Sequence, residues 1–226
     1  MNFFDSLYAG RHALLSSLLT TASAGFWAIV AGTLVGVLLG VLLTYGHKYA
    51  AWPIRIYVDI VRGIPGLVMI FMSYYLLGFA LNSAGITLGP WAAGVIALSI
   101  VGAADVAELT RGAFQSLPRG QIEAGKALGL RFSTNLRYVL APQAALQMIP
   151  PWTNTATELI KGTTLLSLIG ATELMLAANQ LVATSGNALY FFLAIGLLFF
   201  VINSLIQMLA RTAEKKLDYK RARRQK

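Results

Sequence analysis

Apolar residues in this chain come in long runs separated by short polar stretches, a pattern of crossings rather than of half-buried helix faces. The runs fall at about residues 21–45, 63–81, 91–109, 136–161 and 188–209. Each is near the ~20 residues that a helix needs to cross a hydrocarbon core. The pattern predicts an all-α integral membrane protein, residues 1–226 forming one domain with about five transmembrane helices. Residues 1–19 are mildly amphipathic, and Phe3, Phe4, Leu7 and Leu14 are expected in the membrane interface. With no basic leader and no small-residue cleavage pattern, the first run is read as retained rather than cleaved.

Within the runs, departures from uniform hydrophobicity carry the information. Gly32, Gly36 and Gly40 recur every four residues and predict a smooth face for close helix packing. Residues 47–62 read as a connection, with Lys48, Trp52 and Tyr57 as interface anchors. The uncharged stretch 82–90 reads as an external loop. The third run ends in Asp105, Glu108 and Arg111; Glu108 and Arg111, one turn apart, are expected to pair, and the deeper Asp105 needs a partner. The fourth run is expected to be interrupted by Pro142, Pro150 and Pro151. Its polar residues Gln143, Gln147, Asn154, Glu158 and Lys161 share one helix face. That face either lines a watery path, as broken transporter helices do, or forms an inter-helix seam with Glu158 and Lys161 as an ion pair.

Residues 112–135 are different again. Glu123 to Leu128 are good helix formers, Pro118 suits a helix start, and Gly129 can end the helix in a left-handed conformation. The segment predicts one short helix held against the membrane face. Of the eighteen basic residues, only Arg11 and Lys161 fall outside the 47–62 connection, the 111–137 region and the tail that starts at Arg211. Such clustering marks the cytoplasmic side, and it puts the C-terminus inside and the N-terminus outside.

Composition agrees: 57% of residues are hydrophobic, 12% charged, and the mean hydropathy is +0.66. The net charge of +9 follows sidedness, so nucleic acid is not an expected partner, whereas the lipid bilayer is. Without cysteine there is no disulfide or thiol chemistry. Gly120 to Lys126 matches the start of a phosphate-binding loop, but Ala127 stands where a Ser or Thr would hold magnesium, and no strand precedes it. His47 has no companion metal ligands, and no nucleophile–base–carboxylate set is visible. Neither enzyme chemistry nor a cofactor or metal is expected.

Glu123-Ala124-Gly125, then Gly129, then Val139, Ala141 and Pro142 resemble the cytoplasmic loop of ABC-importer permeases: Glu-Ala-Ala, three residues, Gly, nine residues, Ile, one residue, Leu-Pro. Arg62-Gly63-Ile64-Pro65 resembles the Arg-Gly-Thr-Pro of polar-amino-acid permeases, and Glu108-Leu109-Thr110-Arg111-Gly112 looks like their approach to that loop. Pro150-Pro151, Asn154, Lys161 and Thr163-Thr164-Leu165 also fit, and Leu165 to Gly186 resembles the family's external gate-side segment, with Ile169 to Leu174 as the matching core. Thr155 stands where many relatives have a Glu that the family implies for cationic substrates, and Gly162 replaces Asp.

The resemblance implies a type I ABC-importer permease fold in a bacterial inner membrane. It further implies ATP-driven uptake of polar amino acids by alternating access. Implied partners are cytoplasmic ABC ATPase subunits, an external solute-binding protein, and a second permease subunit, identical or paralogous. It assigns ATPase coupling to Glu123, Ala124, Gly125, Leu128 and Gly129. Gln147, Asn154, Thr155, Glu158 and Lys161 become substrate-pathway positions, and Arg62, Pro65, Glu108 and Pro142 gate or structural ones. The competing expectation is a stand-alone ion-coupled transporter or channel using Asp105, Glu108, Glu158 and Lys161 as a relay.

Overall fold

Lipid offers backbone groups no hydrogen bonds, so a chain this apolar satisfies them within helices. The structure, a computed structural model, describes residues 3–224 and the side chains of residues 5–216. Among the described residues every regular element is helical. In chain order these are α1 (Phe3–Tyr45), α2 (Lys48–Gly63), α3 (Gly66–Asn82), α4 (Pro90–Gln115), α5 (Arg119–Ala127), α6 (Phe132–Ile169), α7 (Leu174–Ser185) and α8 (Ala188–Arg224).

The centre of the molecule is the pair α1 and α4. A Cβ on Gly36 would lie 2.6 Å from the Val106 side chain and 2.8 Å from the Ala103 carbonyl, so that glycine sets how closely the two helices approach. α4 answers with its own small residues, burying Ala97, Ala103, Ala104 and Ala107.

The chain departs from the sequence expectations in four places. From Phe3 the expected interfacial stretch is continuous with the first apolar run, because α1 runs unbroken to Tyr45, with no proline to stop it. Leu14 packs against the cluster of Leu174, Ala178 and Ile195, while the side chains of Phe3 and Phe4 lie outside the described residues. Residues 47–62 are helix rather than plain connection: α2 buries Val58 and Val61 and meets α3 at a bend of 110°. The Tyr57 hydroxyl donates to the Ile100 carbonyl of α4 at 2.7 Å.

Third, the prolines do not interrupt α6. Pro142 lacks an N–H and crowds the preceding turn, and the backbone absorbs this by winding Leu136–Leu140 as a π-helix just before it. Pro150 and Pro151 sit within the continuous α-helical stretch Ala141–Gly162. The helix then tightens to 3-10 geometry over Thr163–Ile169 and ends at Gly170, whose φ of +84° is left-handed. Fourth, α8 continues past 209 as helix to Arg224.

α7 starts at a bend of 52° from α6 and is capped from within. The fully buried Glu173 carboxylate accepts the N–H groups of Met175 and Leu176, both at 2.9 Å. Thr21 of α1 takes the N–H of Leu174 at 3.1 Å, fixing α7 to the long first helix. α1, α4 and α8 are long and apolar enough to cross a membrane, and the bent pairs α2–α3 and α6–α7 raise the number of candidate spans to five.

Candidate functional site

α5 is short, and its ends are well defined. Pro118 is its N-cap, with φ −57° and ψ 130°. At the other end Gly129 takes φ +70°, its N–H bonding to the Lys126 carbonyl while that of Leu130 bonds to the Gly125 carbonyl. These two bonds close a Schellman motif and satisfy carbonyls that would otherwise be orphaned.

The inner face of α5 is fixed as closely. Gly125 is buried against Asn135, and a Cβ there would fall 2.3 Å from the Asn135 amide. Gly125 stands where the related pattern has Ala, and here a buried Asn occupies the methyl group's place, so an alanine would make Asn135 shift. Ile122 packs with Phe114, Leu117 and Leu140, and Tyr45 makes edge contacts with both Phe114 and Phe132. Outward lie Arg119, Gly120, Glu123, Ala124, Lys126, Ala127 and Leu128, with Leu128 78% exposed. Leu128 thus stands as a large exposed apolar side chain beside the charged Glu123 and Lys126 on a short capped helix.

The polar face of α6 is split between two tasks. Gln143 donates to Gln121 of α5 at 3.2 Å and to the Val139 carbonyl at 2.9 Å. Gln147 is hydrogen-bonded to Ser116, in the turn between α4 and α5. These two residues bind α6 to the 112–135 segment, so Gln147 faces that segment as well as solvent. Asn154, Glu158 and Lys161 lie farther along, exposed on the same side. Among the described residues no ion pair joins Glu158 to Lys161, so the expected seam pair does not form. Thr155 departs from its expected place as well: one residue from Asn154, it turns about 100° around the helix and is buried, 8% exposed.

At the α2–α4 contact the charged residues form a latch. Asp105 finds its partner in Arg62, with Nε to Oδ1 at 3.2 Å. Glu108 is paired with Arg111 of its own helix, as the spacing predicts, and also with Arg55 of α2 at 3.1 Å, which in turn holds Asp59 at 3.2 Å. Arg55 and Asp59 were not legible as site residues. Their spacing of four, with Arg62 one turn on, becomes a signal only once residues 48–63 are recognised as helix. Pro65 is the N-cap of the first turn of α3, just beyond this latch.

α5 is thus a short capped helix hydrogen-bonded to the polar face of α6. The family described as "binding-protein-dependent transport system inner membrane component" matches residues 12–219, nearly the whole chain. The chain belongs to this family. As such a component it is a type I ABC-importer permease, a multi-pass inner-membrane transport subunit of an amino acid importer rather than an ATPase. It is 30% identical over 204 residues to the glutamine transport system permease protein GlnP of Escherichia coli K12, covering 88% of this chain and 92% of that protein. It is also 30% identical over 227 residues to the glutamate/aspartate import permease protein GltJ of the same strain, covering 95% and 90%. A solved amino acid ABC transporter with histidines superposes with a TM-score of 0.83 at 26% identity, covering 96% of this permease and 99% of that chain. Membership implies ATPase and binding-protein partners and a paired permease. None of these likenesses supports a stand-alone ion-coupled transporter.

Proposed function

We propose that this permease passes polar amino acids of the glutamine type inward. On this proposal α5 lies on the cytoplasmic side as the coupling helix for an ABC ATPase, and the exposed face of α6 lines the route. Glu123, Ala124, Leu128 and the turn at Gly129 form the contact with the ATPase, while Gly125 seats the helix. The observation that carries the proposal is a pair of hydrogen bonds between α6 and the coupling segment, Gln143 donating to Gln121 and Gln147 accepting from Ser116. A push on α5 reaches α6 through them, and α6 presents Asn154, Glu158 and Lys161 about two to five turns away.

One carboxylate and one ammonium on a polar wall suit a zwitterion with a neutral side chain. The buried Thr155, in place of a relative's Glu, removes the second negative charge that a cationic substrate would use. Arg62, Asp105 and Glu108 form the gate-side latch, and the second permease subunit, identical or paralogous, faces the exposed side of α6. Net uptake requires that substrate affinity differ between the outward and inward states, and ATP binding supplies that difference through α5.

The test is Glu123→Arg in the assembled transporter. Uptake per ATP hydrolysed is expected to fall about tenfold or more, the scale of a typical coupling free energy, with membrane abundance unchanged. Normal uptake by a well-expressed variant would defeat the proposal.

A further inference from the structure

A cavity of about 390 Å³ runs between α1, α4 and α6, separate from the outward face of α5 and from the polar face of α6. Its walls are apolar, with Val37 and Val41 from α1 and Ala145 and Met148 from α6. Ser133 and Arg137 close one end, one turn apart at the start of α6 and just after the coupling helix. From Ser133 to Met148 the helix rises about 22 Å, so the polar and apolar groups are arranged lengthwise. Arg137 belongs to no ion pair among the described residues, and its guanidinium carbon lies 5.6 Å from the centre of the exposed Tyr138 ring.

These features define a ligand with two parts. The cation and hydroxyl ask for an anion, and the walls beyond them ask for a hydrocarbon chain. A free inorganic anion would leave the walls unfilled, and a lipid without net charge would leave Arg137 uncompensated. With α5 on the cytoplasmic side, as proposed above, the mouth lies at the inner leaflet, where anionic lipids gather and basic residues attract them. We propose that this crevice binds one acyl chain of an anionic phospholipid, with its phosphate held by Arg137 and Ser133. Phe114 and Leu136 line the crevice and also pack in the cluster that seats Ile122 of α5, so an occupied crevice stiffens the seat of the coupling helix.

The test uses the purified full chain in detergent, with phosphatidylglycerol and phosphatidylcholine offered together and retention read by native mass spectrometry. Phosphatidylglycerol is expected to be retained about fivefold over phosphatidylcholine, the factor one basic residue supplies near an anionic headgroup. Arg137→Gln should abolish that preference, Lys48→Gln on α2 should leave it intact, and Ala145→Phe should reduce retention of both lipids. On the unaltered chain, phosphatidylglycerol carrying a diazirine in its acyl chain should crosslink to the stretches around Val37–Val41 and Ala145–Met148. The proposal is overturned by equal retention of the two lipids, by an Arg137→Gln variant that keeps the preference, or by crosslinks confined to other surfaces. It is also overturned if a cysteine at position 145 crosslinks a second permease chain, which would mean that protein covers the crevice. None of these readings requires transport, so they succeed or fail independently of the coupling proposal.

Discussion

Gly125 and Gly129 are four residues apart and needed for opposite reasons. Gly129 supplies a backbone conformation, φ +70°, that ends α5. Gly125 supplies an absence, the space taken by the Asn135 side chain. The first is legible in the sequence, since a glycine directly after the helix formers Lys126, Ala127 and Leu128 is a stop signal. The second is not, because nothing local announces that a residue ten positions on will fill the methyl group's place. Gly125→Ala should therefore destabilise the chain by about 1–3 kcal/mol through overpacking. Adding Asn135→Ala should restore most of the loss, as measured by the thermal inactivation of purified transporter. A single Gly125→Ala variant as stable as the parent would show that Asn135 yields without cost. Thr155 makes the same point about register: the polar stripe is correctly placed on one face, but Thr155, adjacent in sequence to an exposed Asn, faces the core.

At the scale of elements, α6 is the instructive case. Three prolines in a weakly apolar run predict interruption, yet one π-wound stretch ahead of Pro142 and a 3-10 turn after Gly162 let the helix continue. Continuity matters for the mechanism, since a broken helix would not carry displacement from Gln143 to Lys161. α2 was hidden for the converse reason. Its amphipathic, proline-containing stretch lacks the length and hydropathy of a crossing, and its partners Asp105 and Glu108 are more than forty residues away. The glycine face of α1, by contrast, was legible from spacing alone, because small residues every fourth position have one physical use. The argument for α6 as a lever predicts that Gln143→Leu with Gln147→Leu leaves ATP hydrolysis in the assembled transporter within about twofold of the parent. Uptake should fall about five- to tenfold, the range of a modest coupling energy. Equal losses in both activities would indicate a damaged fold instead, and no loss in either would remove these hydrogen bonds from the transmission path.

For the whole molecule, membership of the family makes this chain one part of a larger machine, and its exposed surfaces divide accordingly. The face with Asn154, Glu158 and Lys161 is expected to contact the solute. Glu158→Gln should weaken amino acid uptake about tenfold or more in apparent affinity, since hydrogen bonds to charged groups contribute about 1.5–3 kcal/mol. Initial-rate uptake of glutamine, glutamate and arginine would check this, and identical kinetics for all three in parent and variant would remove Glu158 from the pathway. The central claim is that Leu128 and its neighbours rest on an ATPase. A photoreactive amino acid placed at position 128 of the assembled transporter in membranes tests it most directly. The account predicts an adduct with the ATPase subunit whose yield changes when ATP is added, and none from position 86 in the uncharged 82–90 loop. Adducts with the solute-binding protein at position 128, or an ATPase adduct from position 86, would contradict it.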